Sequence, residues 1–210
     1  MLQLIRWFMQ KKWGTELMKL LEDFDKKDLW TIPNILCYIR VFLIPIFIIL
    51  YFKAESARDY LRAAGVILLS GVTDFLDGFV ARKFDMVTEL GKLIDPIADK
   101  LTQAALIFVL LIRIDKMYLL LILFAAMQIF LVVAGLLFLK IDKKLDGSKW
   151  FGKISTTVFY GVMLVLVAFP NLSSNTINIF MIICAVSLAI SFILYIREYV
   201  LMYREAKLEA

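Results

Sequence analysis

Six stretches of the chain are nearly unbroken in apolar residues, at about 33–52, 60–83, 90–112, 117–139, 154–170 and 176–196. A helix needs about 20 residues to cross hydrocarbon, and the fifth stretch reaches that length if it starts near Trp150. The pattern predicts an all-α membrane protein with six transmembrane helices. Residues 2–24 read differently. Leu2, Ile5, Met9, Trp13, Leu17 and Leu20 recur at helical spacing, but Lys11, Lys12, Lys19, Glu22 and Asp23 interrupt any span. An interfacial amphipathic helix fits, with Trp7 and Trp13 at headgroup level; a helix packed on the body of the protein is the other reading. The start does not read as a secretory leader. The expected organisation is an amphipathic helix and linker over 1–30, a six-helix domain over 31–200 and a cytoplasmic tail over 201–210.

Charge orients this bundle. With the N-terminus inside, the inner segments carry seventeen Lys and Arg and the outer ones five: Lys53, Arg58, Arg62, Arg113 and Lys116. The positive-inside rule then places both termini in the cytoplasm. Arg40 and Lys100 fall within spans. Composition agrees with a membrane protein: 62% of the 210 residues are hydrophobic and the mean hydropathy is +0.83. The net charge of +5 suits an anionic bilayer surface and is not read as nucleic-acid binding. Cys37 and Cys184 both lie in apolar runs and are expected as buried thiols. The chain has no histidine. That excludes Ser-His-Asp and Cys-His chemistry, His metal ligands and a phosphohistidine, and leaves a carboxylate, Lys or Tyr as a base.

Against this background the run "DFLDGFVARKFDMVTELGKLIDPIADK" stands out. At 100° per residue Asp74, Asp77, Gly78 and Ala81 share one stripe of the second helix, and Gly91, Asp95 and Asp99 share one on the third. The connection is short, so the helices are antiparallel neighbours and both stripes lie toward the cytoplasmic end. Arg40 reaches the same depth on the first helix. Two carboxylates about 4 Å apart repel by roughly 4 kcal/mol at an effective dielectric of 20, so four together call for cations. An all-oxygen set suits Mg²⁺ or Mn²⁺, and two such ions would be an arrangement for phosphoryl transfer. Gly78 and Gly91 either admit a ligand to the backbone or serve helix packing. Arg82 either meets a phosphate or snorkels to the surface. Pro96 removes a helical N–H and frees the carbonyl of Lys92.

The spacing D-x2-D-G-x2-A-R-x8-G-x3-D-x3-D, met by Asp74, Asp77, Gly78, Ala81, Arg82, Gly91, Asp95 and Asp99, resembles the signature of the CDP-alcohol phosphatidyltransferases. The resemblance covers about residues 1–200. It implies a homodimeric, multi-pass enzyme of a bacterial cell membrane, with its active site facing the cytoplasm. Such an enzyme displaces CMP from CDP-diacylglycerol with an alcohol, using two divalent cations. By position, Asp74, Asp77, Asp95 and Asp99 would be metal ligands, with Asp99 also the catalytic base. Asn34, Gly78, Ala81, Arg82, Thr88 and Gly91 would form the CDP-lipid site.

"TIPNILCYIRVFLIPIF" and "GKLIDPIADKL" are most similar to the branch that uses glycerol 3-phosphate and forms phosphatidylglycerophosphate. The CMP-forming cardiolipin branch, whose acceptor is phosphatidylglycerol, shares much of both stretches. In the first of them Cys37 stands where a Thr is common in the family. The stretch "FAAMQIFLVVAGLLF" is uncharged, with Gln128 its only amide. Arg40, Lys149 and Lys153, the last two in "SKWFGKISTT", are the candidates for the acceptor phosphate; both lysines also fit ordinary positive-inside charge. An ion-coupled transporter would use intramembrane aspartates too, but it predicts a second, inverted copy of the motif, and spans four to six carry none.

Overall fold

The computed structural model describes residues 30–139, apart from residue 87, and 149–208. The expected amphipathic helix lies outside the described residues. Among them are six helices: α1 Ile32–Phe52, α2 Ala57–Lys83, α3 Glu89–Leu111, α4 Met117–Leu139, α5 Trp150–Ala168 and α6 Ser174–Leu208. All six apolar stretches are helical. The last helix outruns its stretch because the residues after 196, with no Gly or Pro, are mostly good helix formers.

Five of these helices are long and apolar enough to cross a membrane. The exception is α3, whose first half carries Glu89, Lys92, Asp95, Asp99 and Lys100. Large apolar side chains such as Phe75 on α2, Ile122 and Ile129 on α4 and Ile193 on α6 are exposed on the protein surface. In water such a surface would associate, whereas in a bilayer it is solvated by lipid chains. The chain is a multi-pass membrane protein.

The described residues divide into two compact units. One holds Val66–Thr102 and the described residues up to Ile46; the other holds Phe47–Gly65 and the described residues from Gln103 onward. Their interiors differ. The first unit buries Asn34, Arg40, Ser70, Thr73, Asp77 and Thr102, against Cys37, Ile67 and Ala98 as apolar or thiol residues. The second buries mainly Leu, Ile, Val, Met and Phe, including Leu106, Leu110, Met163 and Phe159. Within that unit α6 packs along α5 and α4, and rings interlock at Phe124–Phe159 and Phe130–Tyr199. Arg113 caps the end of α5: Nη1 donates to Leu166 O at 3.2 Å and Nη2 to Pro170 O at 2.8 Å. These carbonyls have no partner within the helix. Both cysteines are free and buried.

Two local devices shape the first unit. At the end of α2 the Met86 N–H donates to Ala81 O at 3.0 Å, while Asp85 adopts φ 53°. This is a Schellman closure with an aspartate in the left-handed position that glycine usually takes. It turns the chain sharply into α3. There Thr88 acts as N-cap, its Oγ1 accepting from the Gly91 N–H at 3.0 Å.

Candidate active site

Three helices of the first unit contribute. On α1, Asn34, Cys37 and Arg40 follow at intervals of three, which keeps them on one side of the helix. Arg40 is the centre of the arrangement, with its side chain 1% exposed. Its Nη1 lies 2.6 Å from Asp74 Oδ1, 2.9 Å from Asp95 Oδ1 and 3.9 Å from Asp99 Oδ1. Its Nη2 donates to Asp77 Oδ2. One guanidinium therefore faces all four predicted carboxylates. Asp77 is buried, whereas Asp74, Asp95 and Asp99 are 45%, 49% and 34% exposed. The buried end of the cluster is closed by Arg40 and the other end is open.

Cys37 adds a thiol to this layer. Its Sγ donates to Asp77 Oδ2 at 3.4 Å and lies 3.9 Å from Asp95 Oδ1. Cys37, Asp77 and Asp95 each offer a ligand atom, and these lie within 4.8 Å of one another, close enough to hold a metal ion. The donor set fits a hard divalent cation, since it is dominated by carboxylate oxygens that converge on one positive group. Charge points the same way. Four carboxylates crowd around the Arg40 guanidinium, and a further cation would relieve their mutual repulsion.

Beside the carboxylates lies a cavity of about 260 Å³, lined by Pro33, Asn34, Cys37, Asp77, Gly78, Ala81, Met86, Thr88, Gly91 and Asp95. Five of the six predicted CDP-lipid residues thus line one space; the side chain of the sixth, Arg82, lies outside the described part. Asn34 Nδ2 donates to Thr88 Oγ1 at 3.0 Å, tying α1 to the start of α3. Gly91 is required by that pair. A Cβ there would stand 2.7 Å from Asn34 Oδ1 and 3.1 Å from Thr88 Oγ1.

Of the predicted acceptor residues, Arg40 is on the carboxylates. Lys149 and Lys153 belong to the second unit, where Lys149 Nζ lies 3.7 Å from Glu198 Oε2 and Lys153 is exposed. Pro33 and Met86 line the cavity without having been singled out from the sequence. Cys37 was expected only as a buried thiol. Its spacing of three from both Asn34 and Arg40 is the signal that would have placed it here.

A buried guanidinium among four carboxylates at one end of three long helices, next to a small-residue cavity, defines a helical membrane protein with a polar, cation-attracting site. The comparisons identify the family. The sequence profile of the CDP-alcohol phosphatidyltransferases matches residues 30–194, most of the chain. The chain belongs to the CDP-alcohol phosphatidyltransferase family. It is 34% identical over 142 residues to the CDP-diacylglycerol–glycerol-3-phosphate 3-phosphatidyltransferase of Aquifex aeolicus, covering 67% of this chain and 76% of that protein. Its likeness to the Rickettsia bellii protein of the same name is 43% over 84 residues, 40% of this chain and 46% of the relative. The chain thus spans less than half the length of the Rickettsia relatives it matches. A cardiolipin synthase (CMP-forming) / mitochondrial hydrolase fusion protein of Schizosaccharomyces pombe is 36% identical over 89 residues, 42% of this chain and 14% of that protein.

Proposed function

We propose that this protein transfers the phosphatidyl group of CDP-diacylglycerol to glycerol 3-phosphate, releasing CMP and forming phosphatidylglycerophosphate. The observation that carries the reaction class is the carboxylate layer around Arg40 opening beside the cavity lined by Asn34, Gly78, Ala81, Thr88 and Gly91. The names of the Aquifex and Rickettsia relatives support the acceptor. Asp74, Asp77, Asp95 and Asp99 would hold two Mg²⁺ or Mn²⁺ ions, which offset the charge of the substrate phosphates when bound. Gly78, Ala81 and Gly91 let the cytidine diphosphate approach the helix backbones, with Asn34, Thr88 and Arg82 as its polar partners. The acceptor hydroxyl oxygen forms a bond to the phosphorus that bears diacylglycerol. The bond from that phosphorus to the CMP oxygen breaks, and CMP leaves with the electron pair. Asp99 takes the hydroxyl proton. No covalent protein intermediate is needed, and the chain's work is positioning and proton removal. Arg40 is the residue of the first unit assigned to the acceptor phosphate.

In the bilayer we assign six spans, α3 included, with both termini and the active site on the cytoplasmic side of a bacterial cell membrane. The supporting observation is the seventeen-to-five distribution of Lys and Arg. The working unit is a homodimer, and the catalytic domain covers 31–200, between the amphipathic segment 1–30 and the tail 201–210. A second acceptor, phosphatidylglycerol, is favoured by the Schizosaccharomyces relative and by the absence of charge along α4.

One assay separates these readings. Purified protein with Mg²⁺ or Mn²⁺ is given CDP-diacylglycerol with glycerol 3-phosphate, phosphatidylglycerol, serine or inositol in parallel, and the lipid product is identified by mass. Phosphatidylglycerophosphate is expected. Product from phosphatidylglycerol alone replaces the first reading with the second, and undiminished CMP release in excess chelator removes the metal assignment.

A further inference from the structure

We infer, on the metal-holding reading above, that Arg40 is the site's resident cation. Its guanidinium holds the four carboxylates together until divalent ions arrive, and it is displaced from them by those ions. Nη1 carries two N–H groups yet faces three carboxylates, at 2.6, 2.9 and 3.9 Å. Nη1 donates to Asp95 Oδ1 and makes an ion-pair contact with Asp74 Oδ1, while Asp99 Oδ1 is the farthest of the three. Nε is buried and finds no hydrogen-bond partner among the described residues. A guanidinium seated this way offsets repulsion among the carboxylates while its own Nε stays without a partner among the described residues. The oxygens it occupies, Asp74 Oδ1, Asp77 Oδ2 and Asp95 Oδ1, belong to the residues that would hold the ions. A divalent ion on those oxygens would sit against a like charge at close range, so ion and guanidinium compete. The exposed sides of Asp74, Asp95 and Asp99 give an ion its entry, and Arg40 closes the opposite, buried end. Displacement also frees the Arg40 charge for an anionic acceptor only after the ions are in place, which orders the two events.

The test measures binding rather than turnover. In the full-length protein in detergent, Arg40→Met should tighten Mn²⁺ binding by roughly tenfold or more in titration calorimetry. The metal-free variant should melt lower than metal-free wild type, and Mn²⁺ should restore most of the difference. Arg40→Lys, which keeps a charge that cannot span four carboxylates, should fall between the two and serves if the Met variant does not fold. A structure of the Mn²⁺-loaded wild type should show the guanidinium off Asp74 and Asp95. Unchanged or weaker Mn²⁺ affinity in Arg40→Met, or a loaded structure with Arg40 still on those carboxylates, overturns the competition while leaving the metal-holding reading intact. Absence of Mn²⁺ binding in every variant and in wild type overturns both.

Discussion

Arg40 and Arg113 are used in opposite ways by the two units. Arg113 gives its N–H groups to backbone carbonyls at the end of α5 and to Tyr51 Oη at 3.3 Å. Those acceptors are neutral, local and fixed, and around them the unit is filled with aliphatic and aromatic side chains. Arg40 is surrounded by charges instead, in a unit whose buried residues are mostly polar. Ionisable groups inside a membrane protein are costly, and breaking a buried pair leaves an uncompensated charge. An apolar interior with satisfied carbonyls provides stability, whereas an interior crowded with carboxylates suits the binding of something charged. The first unit carries the candidate site, and the second has a largely apolar interior.

The largest effect expected from this contrast falls on Asp99. Asp99→Asn keeps the shape of the side chain and removes its ability to accept a proton. Turnover should fall by at least the roughly 10²–10⁴-fold that a general base contributes, since a metal ligand is weakened too, and far more than CDP-diacylglycerol binding does. Near-normal turnover would make Asp99 a structural member of the cluster.

Much of this unit was legible in the sequence because helical geometry is local. Spacings of three and four force Asp74 with Asp77, and Asp95 with Asp99, onto common stripes whatever the helices pack against. The helix limits followed from hydrophobic runs and lie within a few residues of the observed ones, except where α6 continues through Arg197 and Glu198 to Leu208. The partner of Arg40 was not legible. A charge in a span needs a partner, but whether that partner is a substrate phosphate or a carboxylate on another helix depends on tertiary packing. Composition likewise hid Cys37, since a thiol in an apolar run reads as core until a neighbouring helix presents Asp77 to it. It also hid Met86, which reaches the cavity lining through the turn at Asp85.

The second unit should answer to stability rather than rate. Arg113→Met deletes charge-assisted hydrogen bonds to Leu166 O and Pro170 O and leaves the end of α5 uncapped. A loss of about 1.5–3 kcal/mol is expected, read as a lower melting temperature, with kcat unchanged in the protein that remains folded. A kcat defect without destabilisation would show that the support unit takes part in the chemistry and would break the comparison.

The smallest effects come from a pair of glycines, and they sharpen the contrast most. Gly152 lies against Tyr195; an added Cβ would meet the hydroxyl oxygen at 2.2 Å and the ring carbons at 3.1 and 3.3 Å. That ring is pinned edge-on by Phe151, with centroids 4.7 Å apart, so it cannot easily yield. Gly152→Ala should therefore destabilise by about 1–2 kcal/mol, as overpacking does, and leave the KM for CDP-diacylglycerol alone. At Gly91 the added Cβ would press on Asn34 Oδ1 at 2.7 Å, the end of a short side chain that can move aside. The cost there is the Asn34–Thr88 hydrogen bond, worth roughly 0.5–1.5 kcal/mol. Because both residues line the cavity, Gly91→Ala should raise that KM several-fold while the melting temperature shifts little. Measuring melting temperature and KM on both variants gives a two-by-two test. If both glycines move only the melting temperature, Gly91 is a packing residue, and the cavity loses its strongest claim to the cytidine diphosphate.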